Sequence, residues 1–194
     1  MSQSKNSIDE ICPNNRGEWR AWLKENHSLQ ESVWLIYYKK KSVYYSMSWS
    51  DAVDEALCFG WIDSVRKSLD DERFQQLFTK RKPKGTWSKI NKEKIERLIN
   101  ENLMADAGLA VIKRSKENGS WDSLNEVEEL KVPDDLFNVL QRNSEAEFFF
   151  NALSKSTRKA MLQWIALAKR PETREKRIEE IVELASKRQK PKQF

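Results

Sequence analysis

The hydrophobic period of this chain changes repeatedly before residue 80 and settles afterwards, which leaves few folds open to it. Trp19, Trp22 and Leu23 stand at helical spacing within residues 16–26. Val33-Trp34-Leu35-Ile36-Tyr37-Tyr38, aromatic and β-branched, then reads as a strand. Residues 49–60 return to helix. There Ser48 and Asp51 give a capping-box signal, and Val53, Ala56, Leu57 and Gly60 an inward stripe. After Gly60 two strands are expected, 62–68 and 73–79, joined by the hairpin Leu69-Asp70-Asp71-Glu72.

From Trp87 onward the elements expected are helices. One helix is expected from Trp87 to about Asn100, with Thr86 as its cap, and a second from about Leu103 to Asn118-Gly119. Pro133 sits at a first-turn position before Leu136, Phe137, Val139 and Leu140. Ser144 and Glu147 form a capping-box pattern ahead of Phe148, Phe149 and Leu153. An amphipathic segment holds Met161, Leu162, Trp164, Ile165 and Ala168, and Pro171 opens a last helix carrying Ile178, Ile181, Val182 and Ala185. Residues 125–131, acidic and poor in aromatics, read as a linker, and 187–194 as a frayed tail.

The expectation is therefore an α+β fold: a small antiparallel sheet packed on helices, then a helical C-terminal part, with domains at 8–124 and 132–187. Composition agrees, since five glycines and five prolines in 194 residues do not suit a loop-rich all-β chain. Eight tryptophans and eight phenylalanines offset an apolar fraction of only 39% by burying large areas each.

Several chemistries are excluded or weakened. A single histidine, His27, and the lack of a CxxC pair rule out the usual zinc sites; His27 is expected exposed at a helix C-terminus. Two dissimilar cysteines make no disulfide framework, the N-terminus has no apolar signal region, and no apolar run spans a bilayer. A cytoplasmic location without membrane insertion is the expectation, and no cofactor motif is present. On the helix 49–60, Asp51, Asp54, Glu55 and Cys58 share one face. Carboxylates and a helix C-terminus disfavour a thiolate at Cys58, which leaves it without a nucleophile's surroundings. The same carboxylates could hold a hard cation or ferrous iron, although soft sulfur mixes poorly with hard oxygen ligands.

The remaining signal is charge. Residues 79–94 hold seven basic residues (80, 81, 82, 84, 89, 92, 94) and one acid, Glu93, while the whole chain nets only +5. Concentrated basicity is the footprint of an anion site, and a helix N-terminus beside it adds unsatisfied amides. Trp61, Asp63, Arg73, Thr79, Arg81, Trp87 and Asn91 are the candidate ligand-binding residues. Arg81 would supply a planar fork, Thr79 and Asn91 hydrogen bonds, and the two indoles apolar walls. The expected partner is a small anionic ligand or an acidic protein surface. The alternatives are nucleic acid bound through 80–94, with steep salt dependence, and metal handling through Asp51, Asp54 and Glu55. No nucleophile and base pair up to suggest an enzyme.

Ala56-Leu-Cys-Phe-Gly-Trp-Ile-Asp63, Ser68-Leu-Asp-Asp-Glu-Arg73, Phe78-Thr-Lys-Arg81 and Trp87-Ser-Lys-Ile-Asn91 together resemble the YdeI/OmpD-associated, or bacteriocin-protection, family. Trp164-Ile165, Ala168-Lys-Arg-Pro-Glu-Thr-Arg174 and Arg177-Ile178 resemble its C-terminal segment, so the likeness runs from about residue 10 to 187. The resemblance implies a frataxin-like (YjbR-like) front half followed by helices. It also implies a role in resisting bacteriocins or cationic antimicrobial peptides, association with an outer-membrane porin, and no catalytic residues.

Overall fold

In a computed structural model that describes residues 8–194, the chain divides into two compact units. The first holds the residues up to 85 and 90–121; the second holds 86–89 and 122–194. Among the described residues the first unit opens with strand β1 (Glu10–Ile11), helix α1 (Arg16–Asn26), strand β2 (Ser32–Tyr38) and helix α2 (Trp49–Cys58). The hairpin strands β3 (Trp61–Ser68) and β4 (Arg73–Lys80) follow, then helices α3 (Lys89–Asn100) and α4 (Asp106–Glu117).

The expected α+β class holds, with one correction to the sheet. Its order is β1-β2-β4-β3, and the two-residue β1 lies parallel to β2, so the sheet is mixed rather than purely antiparallel. Two residues carry no readable period, which is why β1 has no sequence signal. One face of the sheet presents Val33, Leu35, Tyr37, Phe74 and Phe78 to the core, where Trp19, Leu23, Val53 and Leu57 are also buried. The capping box of α2 forms as expected: the Asp51 amide donates to Ser48 Oγ, and the Ser48 amide donates to the Asp51 carboxylate.

Gly60 and Gly119 both take a φ of 75°, the left-handed region that terminates α2 and α4 cheaply only with glycine. Gly60 also lets the chain pass α4 closely, since a Cβ there would stand 2.6 Å from Val111 Cγ2. Gly108 brings α4 against the Cys58 carbonyl, only 2.2 Å from where a Cβ would be.

The second unit is helical: α5 (Asn125–Glu128), α6 (Asp134–Leu140), α7 (Ser144–Ala152), α8 (Lys155–Ala166) and α9 (Pro171–Ser186). Leu136, Ala146, Phe150, Met161, Ile165 and Ile181 form its core. Four local expectations change here. Residues 125–128 are helix rather than linker, because Val127 enters this core. Asn143, not Ser144, caps α7 by accepting the Ala146 amide, and Pro133 precedes α6 as its cap residue. The tail is held by packing: the Phe194 ring meets Trp164 edge-on at 5.7 Å.

Candidate functional site

On the acidic face of α2, Asp54 and Glu55 are buried and paired, while the Asp51 side chain stays 40% exposed. Glu55 is 3% exposed and accepts from Arg16 Nε at 2.5 Å and Arg20 Nη1 at 2.6 Å. Asp54, equally buried, takes Lys94 Nζ at 2.5 Å and Arg97 Nη2. Cations from α1 and α3 thus satisfy the oxygens a metal would need, and no cluster of three potential ligands exists among the described residues. Cys58 is buried beneath them; burial pushes its thiol up, with Glu55 adding to the effect and Arg20 opposing it. The direction is that expected from sequence, but desolvation is the larger cause. His27, expected exposed, is half-buried: Nδ1 lies 2.9 Å from the Leu23 carbonyl, and its ring packs on Phe59.

Of the seven candidate site residues, Trp61, Asp63, Thr79 and Arg81 lie together at one end of the β3–β4 hairpin, and Arg73 stands apart from them. Trp61 is fully buried, its Nε1 donating to the His27 carbonyl, and Trp87 is buried as well. Arg81 is buried, donates its amide to the Gly60 carbonyl, and has its guanidinium pulled down to about 10 by burial, with the Asp63 charge opposing. It keeps its charge at neutral pH. Asp63 accepts from Trp49 Nε1 at 3.0 Å. Thr79 pairs across the sheet with Ile62 and Ser32, and Asn91 lies half-buried on α3. Arg73 stands at the other end of β4, roughly 23 Å from Lys80 at the usual strand rise, and it is paired with Asp70.

Part of the basic segment is committed within the fold, while Lys82 and Lys84 are exposed. Lys80 binds Glu31 at 2.7 Å, Lys94 binds Asp54, and Lys92 lies over the Trp121 ring. Helix α3 begins at Lys89, so Thr86 does not occupy its cap position, and the Lys89 amide donates to Glu128 Oε1 at 3.2 Å. A carboxylate already occupies the first-turn amide that was to greet an anion.

A different place combines accessible cations with aromatic walls. A pocket of about 230 Å³ opens at the hairpin end of the first unit's sheet. Tyr38, Tyr45, Trp49 and Phe74 supply its rings, and Lys39, Lys40 and Arg66 its charges. A β-bulge sets this up. Between Asp63, opposite Phe78, and Arg66, opposite Gln76, β3 contains one residue more than β4. The extra residue flips the alternation, which turns Val65 outward (51% exposed) and brings Arg66 onto the face of Phe74, whose ring lies 3.8 Å from its guanidinium. Gln76, buried on that face, donates to the Ser64 carbonyl at 2.9 Å and so satisfies the bulge.

Among the described residues no carboxylate pairs with these cations. Lys39 Nζ donates to Ser68 Oγ and the Asp70 carbonyl, and neither Lys40 nor Arg66 has an ion pair or side-chain hydrogen bond among the described residues. Asp63 accepts from Trp49, Glu72 from Ser42, Asp51 from Ser48, and Asp70 pairs with Arg73. The second unit's cavity, about 80 Å³, shows the contrast. Its cations Lys131 and Arg174 bind Glu126 at 2.5 Å and Asp135 at 2.6 Å.

Against known families, a model described as "Domain of unknown function (DUF8412)" matches residues 11–111, more than half of the chain. The chain belongs to that family. A second model, "Bacteriocin-protection, YdeI or OmpD-Associated", matches residues 129–188. The motifs at 56–63, 68–73, 78–81 and 87–91 therefore fall within the DUF8412 span, and the resemblance to the OmpD-associated family rests on the C-terminal segment. In that segment the motif residues serve the fold: Arg177 donates to the Trp164 carbonyl and lies over its ring, and Arg174 pairs with Asp135. No curated protein and no solved structure matches the chain.

Sequence reasoning missed the pocket for two reasons. The run Lys39-Lys-Lys-Ser-Val-Tyr-Tyr-Ser-Met-Ser-Trp49 is a visible cluster of bases and aromatics and could have been flagged. Arg66 could not, because an unbulged strand puts it on the face opposite Asp63.

Proposed function

We propose that this is a non-enzymatic binding protein of the YdeI/OmpD-associated type which takes a small anion or an acidic partner group at the pocket of Lys39, Lys40 and Arg66. The observation that carries this is the convergence of three cations that, among the described residues, pair with no carboxylate, whereas the buried carboxylates Asp54 and Glu55 each hold two cations. A bulge that turns one of the three inward supports the same reading, since bulges re-aim side chains beside binding sites. Of the seven residues expected from sequence, Asp63 keeps a supporting role by holding the Trp49 indole. Arg81, Trp61 and Trp87 are buried, and they contribute as framework.

The C-terminal match supports a link to protection against bacteriocins. With Asp54 and Glu55 buried and paired, direct capture of a cationic peptide by α2 is disfavoured, so the protective role would run through the anion or acidic partner. Titration of tryptophan fluorescence with phosphates, carboxylates and nucleotides tests the proposal. The expected result is a saturable change in the wild type that Arg66→Ala weakens at least tenfold, in keeping with loss of a charge-assisted hydrogen bond. Silence in both proteins across the whole panel overturns it.

A further inference from the structure

The pocket's walls are as informative as its charges. Trp49 is 45% exposed and Tyr45 40% exposed, although both line a concavity, and Trp49 is anchored at its polar edge by Asp63. Half-covered rings on a fixed frame offer π-faces and edges that a bare anion cannot use. Arg66 is held from one side by Phe74, and no side-chain hydrogen bond claims its five donors among the described residues. A volume near 230 Å³ falls below the roughly 300–1,000 Å³ of sites for drug-sized ligands. That size suits a single ring seated within the concavity.

Taking the anion-site reading above as its basis, we infer that the pocket selects a single aromatic ring bearing a carboxylate or phosphate. The acidic group meets the Arg66 fork with Lys39 and Lys40 beside it, and the ring lies against Trp49 and Tyr45. A guanidinium suits this role better than an ammonium because its planar donors engage two oxygens at once.

The test uses the full chain with four probes: benzoate, phenyl phosphate, acetate and inorganic phosphate. Binding is measured by calorimetry, alongside the Trp49 indole N–H resonance in a ¹H–¹⁵N spectrum. Expected are at least tenfold tighter binding of the two ring compounds than of the two bare anions, and a shift of the Trp49 resonance. Arg66→Lys, which keeps the charge but loses the fork, should weaken ring-compound binding about tenfold without moving the melting temperature. Equal binding of all four probes overturns the ring inference and leaves the anion site standing. Binding that neither moves Trp49 nor responds to Arg66→Lys overturns the location, and no binding by any probe removes both readings.

Discussion

Glu55 lies between Arg16 and Arg20 with almost no water contact, and a neutral replacement would leave both guanidiniums facing a dipole instead of a charge. Breaking a buried pair from one side costs about 3–5 kcal/mol, and the partial exposure of both arginines lowers that to about 2–3 kcal/mol for Glu55→Gln. Urea unfolding should show this as a lower midpoint at unchanged slope; an unchanged midpoint would mean that the pairs do not form in solution. The cysteines give a second check at this scale. Cys12 is exposed, whereas Cys58 is buried, and burial raises the thiol pKa of both. A thiol reagent at neutral pH should label Cys12 slowly, and Cys58 only after denaturation.

Between elements, the decisive contacts are backbone to backbone. Gly108 of α4 faces the Cys58 carbonyl that closes α2, and the same oxygen accepts the Ala105 amide at 3.1 Å. An alanine methyl there meets main chain, which cannot rotate aside, so Gly108→Ala should cost about 3 kcal/mol or more. Thermal unfolding would reveal it, and a native melting temperature would contradict this packing of α4 on α2. The bulge in β3 depends on Gln76 in the same way. Replacing Gln76 with alanine strands the Ser64 carbonyl, costs about 1–3 kcal/mol, and should loosen Arg66 and with it any anion affinity. The stretch Ala56-Leu-Cys-Phe-Gly-Trp-Ile-Asp63 shows the same dependence on close packing. It is a helix end closed by a left-handed glycine, a buried thiol and a core tryptophan.

At the scale of the whole molecule, the carboxylates decide the response to acid. Burial pushes the Asp51 carboxyl up, but hydrogen bonds from Ser48 and the charges of Arg16 and Lys94 outweigh it and hold it below its ordinary value. In the second unit the Arg174 hydrogen bonds depress Asp135, and Lys159 depresses Glu128 against the effect of its burial. A carboxylate depressed in the folded state binds fewer protons there than in the unfolded chain. Its stabilisation is complete above the unfolded pKa and is lost as pH falls through the folded one. Stability should therefore be flat near neutrality and decline below about pH 4, with Asp135→Asn flattening part of that decline in denaturant titrations at successive pH values. Much of the architecture was legible beforehand: α1, β2, α2 and its capping box, the hairpin, the glycine ends at Gly60 and Gly119, and Pro171 opening α9. Each of these follows from side-chain period or from the backbone freedom of one residue, which is local information. The pairing of Asp54 and Glu55 with α1 and α3, the inward turn of Arg66 and the burial of Arg81 come instead from side chains 35 or more residues apart or from a slip of register between strands. A period of two or 3.6 says which way a residue faces along its own element. Only the assembled chain decides which charge waits on the other side, and so which cations are cancelled and which remain to bind.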